Sequence, residues 1–239
     1  MRSALRLAFI GYGRLGCCLV SACRAAGYVI EDIYRRSEGV LTINGHPDVV
    51  FFCVPDDVLR GGLAVRLPEG VLCVHCSGAV DMDVLRRFSQ NIGVFYPLQT
   101  FTGQNLALGD LPVYLEASTR AGAVVLDGLA KSLDMRVRVC SSACRMHLHL
   151  AAVLAANFSN HFWYLAQKPL QKAGVDFNDL RPLLQQNLDN AFALGPKASQ
   201  TGPARRGDTK TMEAHLNLLK DEPLLHNLYK HISQSIQNT

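Results

Sequence analysis

An apolar stretch that runs straight into three spaced glycines constrains this chain more than any other feature. Leu7 to Ile10 has the composition of a buried strand and leads into Gly11-Tyr12-Gly13-Arg14-Leu15-Gly16. Leu15 to Ala26 then reads as a helix closed by Gly27. A GxGxxG pattern alone is a weak signal, but between a strand and a helix it points to a dinucleotide site. Gly11 permits the tight turn, Gly13 leaves room for a pyrophosphate, and Gly16 lets the helix pack close to the sheet. The free N–H groups at the helix start are donors for the phosphates. The cofactor-binding residues expected here are therefore Gly11, Tyr12, Gly13, Arg14, Leu15 and Gly16.

The second strand, Tyr28 to Tyr34, is followed by Arg35-Arg36-Ser37. A carboxylate at that place would grip the ribose 2′-OH of NAD, whereas guanidiniums suit a 2′-phosphate. Arg35, Arg36 and Ser37 thus favour NADP. Glu31 and Asp32 lie near enough to the expected acid position to leave NAD as the alternative.

With 239 residues, 49% of them apolar and 18% charged, the chain can bury an ample core in one large domain or two modest ones. The net charge of +4 comes without a dense basic cluster interleaved with aromatics, so nucleic acid is not an expected partner. No stretch approaches ~18 uninterrupted apolar residues, which excludes a hydrophobic helical span and makes no membrane the expectation. The apolar run behind Arg2 and Arg6 imitates a signal peptide, but Arg14 and the glycines interrupt it. The eight cysteines sit in apolar segments, where free thiols act as small hydrophobes. Cys73 and Cys76, three apart on a strand, point to opposite faces and would chelate poorly. Reduced thiols, no metal and a cytoplasmic location are the expectations.

Residues 1–140 alternate strand and helix signals, the pattern of a mostly parallel α/β domain. Val49 to Val54 is a continuous apolar run that ends at Pro55-Asp56-Asp57, where an aspartate could cap the next helix. Val71 to Cys76 ends similarly at Ser77-Gly78. A helix over Asp81 to Gln90, strands over Ile92 to Tyr96, Val113 to Glu116 and Arg136 to Val139, and a helix over Arg120 to Leu133 complete this half. Only residues 38–48 separate Ser37 from Val49, too few for a helix plus a strand, so one element is missing there. Beyond Cys140 the strand signal vanishes, and 141–239 reads as an all-helical domain. Ser141 and Ser142 can cap a long helix toward Gln167, with Pro169 and Gly174 ending or kinking it. Further helices fit Asp179 to Leu194, Lys210 to Leu219 and Pro223 to Ile236.

On that long helix, at about 100° per residue, Arg145, His149, Asn157, Asn160 and Tyr164 share an arc of roughly 120°. A solvent stripe is usually built from Lys and Glu; Arg, His and Asn among small residues suit a face lining a polar cleft. The segment Thr201-Gly202-Pro203-Ala204-Arg205-Arg206-Gly207-Asp208 is a structured loop in which Asp208 or Thr209 can cap the following helix. Arg206 could clamp a substrate carboxylate.

Several further motifs occur in one order. Val54-Pro55-Asp56-Asp57, His75-Cys76-Ser77-Gly78 and Pro97-Leu98-Gln99-Thr100-Phe101 precede His149-Leu150-Ala151-Ala152-Val153 with Asn157-Phe158. Thr201-Gly202-Pro203, Arg206-Gly207-Asp208 and His215-Leu216 follow. Together with the glycines they resemble Rossmann-like proteins whose C-terminal part is the domain of unknown function 2520. That family is similar in plan to pyrroline-5-carboxylate reductase, ketopantoate reductase and the 6-phosphogluconate dehydrogenase group. The resemblance implies a Rossmann domain followed by an all-α domain of the 6-phosphogluconate dehydrogenase C-terminal type, homodimerisation through the helices, and NADP-dependent reduction of a small oxo acid such as ketopantoate. The chain departs from the pattern in its short segment after Ser37, in Tyr96 where a His often precedes Pro-Leu, and in Gln200 before Thr201.

Hydride transfer in an interdomain cleft requires a carbonyl held against the nicotinamide and a donor for the oxyanion. The related reductases place a lysine there, whereas this arc carries His149 or Arg145. His149 is the expected general acid. Asn157 and Asn160 are expected to orient the substrate, Arg206, Thr201 and Asp208 to bind it, and Val54, Pro55, Ser77 and Gly78 to border the cofactor. The absence of an arc lysine leaves a second expectation open: an NADP(H)-binding regulatory or assembly protein that reduces nothing.

Overall fold

The computed structural model describes residues 5–35, 40–103 and 107–239. It divides into two compact units, residues 1–157 and 158–239. Loss of strand signal at Cys140 had suggested a boundary at 140/141; the division falls later because the helix after the last strand packs within the first unit.

The first unit is built on a seven-stranded sheet. Its strands are β1 (Arg6–Ile10), β2 (Val29–Tyr34), β4 (Val49–Phe52), β6 (Leu72–His75), β7 (Ile92–Pro97), β8 (Pro112–Ala117) and β9 (Arg136–Val139). Their order is β2-β1-β4-β6-β7-β8-β9. The first five are parallel, while β8 pairs antiparallel with β7 and carries β9 parallel to itself. The central strands β4 and β6 are buried at every position, as expected for continuous apolar runs covered on both faces.

The two faces have separate cores. On one, α1 (Arg14–Ala25) and α2 (Arg120–Ser132) pack onto Phe9, Phe51, Val74 and Phe95. On the other, Ala8, Ile10, Val50, Phe52 and Cys73 meet Leu59 and Leu85, which come from short turns rather than full helices. The segment expected as helix over 81–90 forms a 3₁₀ helix, Met82–Arg87, capped by Asp81. A five-residue π turn, Val58–Gly62, follows Asp57, whose side chain makes no cap. Between β2 and β4 no helix occurs among the described residues. Instead β3 (Leu41–Thr42) pairs with β5 (Val65–Arg66) in a small parallel sheet, and Ile43 joins the second core. The missing element anticipated from the short 38–48 segment is thus the crossover helix.

After β9 the first unit continues with α3 (Ser142–Ala152), capped by Ser141, and a π turn at Val153–Asn157. The second unit contains α4 (Phe158–Ala173), α5 (Arg181–Leu194), the four-residue α6 (Pro203–Arg206), α7 (Thr209–Leu218) and α8 (Pro223–Gln237). Pro169 lies inside α4, and Gly174 follows its end with φ +68°. Asp208 caps α7, accepting the Thr211 N–H at 3.1 Å. No described helix is long and apolar enough to cross a membrane.

Candidate active site

Because β1, β4, β6 and β7 run parallel and in register, the segments that follow them share one edge of the sheet. These are Gly11–Gly16, Cys53–Pro55, Cys76–Gly78 and the Tyr96-Pro97 end of β7. The chain leaves β1 toward β2 on one side and returns to β4 on the other, so the glycine turn stands where the strand order reverses. Ligands of open α/β sheets bind at such a point.

The turn is tied down by its backbone. Gly11 N–H donates to the Tyr34 carbonyl at 2.8 Å, and Cys53 N–H donates to Ile10 at 2.7 Å. Gly11 has φ +95°, and a Cβ on it would strike the Cys53 carbonyl. A Cβ on Gly16 would come within 2.7 Å of the Gly11 oxygen, whereas one on Gly13 would meet nothing within 4 Å. Gly13 is also the N-cap of α1 and offers no side chain to its first turn. The glycines thus divide into two that are sterically required and one that leaves open space beside an uncapped helix start, which is the cradle an anionic diphosphate needs.

At the end of β2, Arg35 lies over the Tyr12 ring with its guanidinium carbon 4.9 Å from the centroid. Arg14 is exposed at the helix start and Leu15 is half-buried, while Val54 packs against the Gly11 position. Arg36 and Ser37 lie outside the described residues. Glu31 pairs with Arg6 at 3.3 Å, and Asp32 accepts the Ile33 N–H. Both acids therefore sit within β2 rather than at its end, where the ribose would be gripped.

The loop after β6 is organised by a buried cation. Arg145, 1% exposed, sends its guanidinium to Glu116 Oε2 at 2.5 Å, to the Val80 carbonyl at 2.6 Å, to the Ser77 carbonyl at 3.1 Å and to Ser142 Oγ at 3.0 Å. Glu116 also accepts from the N–H and hydroxyl of Ser142. Arg145 is expected among the catalytic residues; buried and with four of its N–H donors bonded within the protein, it is instead the tie between α3, β8 and loop 77–80. Inside the loop, Ser77 Oγ accepts from Ala79 and Val80, and Ser77 N–H donates to Nδ1 of His75. Burial and the Arg145 charge push the His75 imidazole down to about 3, so it stays neutral.

His149 lies one helical turn after Arg145 and therefore on the same face of α3. Its Nδ1 is 3.2 Å from the Tyr96 hydroxyl, with the rings 6.2 Å apart at 70°. Both press on Gly78: a Cβ there would be 2.6 Å from His149 Nδ1 and 2.8 Å from Tyr96 Cζ. Burial raises the Tyr96 hydroxyl against the opposing field of Arg145. Tyr96 was noticed in the sequence only as a departure from a pattern, and Glu116 drew no attention; these are the two site residues that sequence reasoning missed. Tyr96 could have been found from its place at the end of a strand leading into Pro-Leu.

The long helix expected to carry the polar arc is interrupted by the π turn between α3 and α4. Asn157 is exposed and ends the π turn, and Asn160 is exposed on α4. A wide turn absorbs roughly one extra residue, about 100° of phase, so a constant 100° per residue does not hold from His149 to Asn157. In the second unit, Thr201 and Arg206 are exposed, and Gly202 and Gly207 bracket α6 with positive φ. Asp208 accepts from Thr211 Oγ1 at 2.8 Å as well as its N–H, and this cap lowers its carboxyl below the usual range. Its carboxylate therefore serves the helix start. Among the described residues no three His, Cys, Asp or Glu side chains are grouped to hold a metal.

A mostly parallel sheet with a glycine turn at its switch point, followed by an all-helical unit, defines a Rossmann-type protein with a helical C-terminal part. Residues 111–236 match the family described as Domain of unknown function (DUF2520), and the chain belongs to that family. Among solved structures, a candidate NADP oxidoreductase from Bacteroides fragilis is 31% identical, with TM-score 0.88 over 99% of each chain. A protein from Thermotoga maritima is 23% identical, with TM-score 0.69 over 97% of each. A reductive aminase from Aspergillus terreus, solved with NADPH and ethyl levulinate, is 12% identical with TM-score 0.70, over 99% of this chain and 95% of that one. The two less identical structures share the fold. No curated protein matches the sequence.

Replacing Arg145 by Met should leave Glu116 without its counter-ion and destabilise the protein by about 3–5 kcal/mol in urea denaturation. The double variant Arg145→Met/Glu116→Gln should lose less than the two single losses added together. Strictly additive losses would show that the pair is not coupled.

Proposed function

We propose that this protein is an NADP-dependent oxidoreductase that reduces a C=O group of a small oxo acid. The observation that carries the reading is the open, uncapped start of α1 at Gly13, set at the strand-order reversal. Gly11 to Gly16 would hold the pyrophosphate, Val54, Pro55, Ser77 and Gly78 would border the rest of the nucleotide, and Arg35 braced on Tyr12 would meet a 2′-phosphate. The placement of Glu31 and Asp32 within β2 supports NADP over NAD. The B. fragilis relative, described as a candidate NADP oxidoreductase, supports the same cofactor class.

When bound, NADPH supplies the hydride. The chain's own contribution would be a donor for the oxygen on which charge develops, and His149 beside Gly78 fills that role. Asn157 and Asn160 would orient substrate oxygens, and Arg206, with Thr201, would bind the carboxylate. Mixing the protein with NADPH and a panel of 2-oxo acids, ketopantoate included, tests the reading through loss of the reduced-nicotinamide absorbance. His149→Ala should leave NADPH affinity intact and cut turnover by about 10²-fold. Binding without turnover across the panel would favour the second reading, a non-catalytic NADP(H)-binding regulator or assembly protein. One observation favours that alternative: Lys131, the single lysine of residues 1–157, is paired with Asp127 on α2 and is no candidate acid.

Replacing Arg35 by Ala should weaken NADPH binding about 10–100-fold, the worth of a charge-assisted contact, with little change for NADH. Equal losses for both nucleotides in a fluorescence titration would remove the 2′-phosphate role.

The same proposal includes a homodimer. Of residues 158–239 only Leu165 and Ala204 are buried, while Phe158, Phe162, Trp163, Leu183 and Phe192 are exposed, Phe192 to 86%. A helical unit with so little covered apolar surface is stabilised by a second copy. Phe192→Asp should shift the protein toward monomer in sedimentation velocity at micromolar concentration. An unchanged sedimentation profile would take α5 out of the interface.

A further inference from the structure

We propose that Tyr96 is a positioning residue for His149: its hydroxyl donates to Nδ1, so the neutral imidazole carries its proton on Nε2 and presents that N–H as a donor. The use of that donor on a substrate oxygen rests on the oxidoreductase reading above; the Tyr96–His149 relation itself does not.

Three observations converge. The 3.2 Å separation joins Tyr96 Oη to Nδ1 and not to Nε2. Gly78 presses on the same edge of the ring, within 2.6 Å of Nδ1 and 2.9 Å of Cγ for a Cβ built on it. The Nδ1 edge thus faces Tyr96 and the backbone of the loop after β6, and Nε2 lies on the opposite side of the ring. Among the described residues Nε2 has no hydrogen-bond partner. Third, burial raises Tyr96, whose other charged or titratable neighbours are the Arg145 guanidinium and Tyr114, so the phenol keeps its proton. A protonated phenol needs an acceptor, and an imidazole nitrogen that accepts cannot carry the ring's proton. Were Nδ1–H the donor instead, the phenolic hydrogen would have no acceptor among the described residues.

The arrangement explains why position 78 is glycine. Any side chain there would push Tyr96 and His149 apart and release the imidazole to choose either tautomer. It also gives Arg145 a second consequence. By tying α3 to loop 77–80 it keeps His149 over Gly78 and within reach of Tyr96. Orientation of a ring nitrogen by a partner on its other nitrogen is a general device for presenting histidine donors.

The experiment is a long-range ¹H–¹⁵N correlation spectrum of the full-length protein labelled at histidine, recorded above pH 8, beyond the ordinary imidazole range of about 6.5. The His149 signals are assigned by their loss in His149→Gln. In the wild type the expected pattern is a single tautomer with Nε2 protonated and Nδ1 bare. In Tyr96→Phe, which keeps the ring and its packing, that pattern should give way to a mixture of both tautomers. A wild-type pattern with the proton on Nδ1 overturns the proposal, with no variant needed. So does a Tyr96→Phe spectrum in which His149 is unchanged. The spectrum requires no substrate, so a panel of oxo acids that shows no turnover removes the proposed reaction and leaves this assignment standing.

Discussion

The arrangement of the first unit depends on one buried guanidinium. Arg145 enters an environment where an unpaired charge would cost several kcal/mol, and the cost is offset only because Glu116, Ser142 and two loop carbonyls converge on it. Those partners come from β8, from the first turn of α3 and from the loop after β6. Satisfying one side chain therefore fixes three segments at once. Helical geometry carries the constraint forward, since the residue four positions on, His149, must face the same way. The position of the histidine over Gly78 is thus a consequence of an ion pair that need not itself meet a ligand.

The glycine turn solves the opposite problem. Where Arg145 fills space with hydrogen bonds, Gly13 leaves space beside a helix start whose N–H groups have no cap. Gly11 and Gly16 make this possible by letting β1, β4 and α1 approach closer than any Cβ would permit. One end of the sheet edge is therefore open and rich in donors, while the other, at Ser77–Val80, is closed and internally bonded.

The parts of this architecture legible in the sequence are those with a local cause. The glycine spacing, the apolar runs of β1, β4 and β6, and the caps at Ser141 and Asp208 each follow from a few neighbouring residues, and the structure has them where expected. What was not legible is non-local. An arginine on a polar arc looks the same whether it meets a substrate or a glutamate, and Glu116 lies 29 positions away on a strand that runs against its neighbour. The π turn at Val153–Asn157 has no composition of its own, yet it changes which side chains share a face. Tyr96 stood out only by comparison with a pattern, because the contact that gives it meaning spans 53 residues.

The two units also differ in what their sequences ask of a partner. The sheet of the first unit buries Phe9, Phe51, Phe52 and Phe95 between its own layers, so its core is complete within one chain. The helices of the second unit leave Leu183, Leu188 and Phe192 exposed on α5 and bury almost nothing. A sequence under pressure only to be soluble would place polar residues at those positions. Large side chains exposed together on one helix are what the second copy proposed above would hide, and a stable cover must hide several of them at once. The apolar exposure of the second unit and the polar enclosure around Arg145 are two outcomes of the same rule: a group is kept where its complement is supplied, within the fold or by something that binds to it.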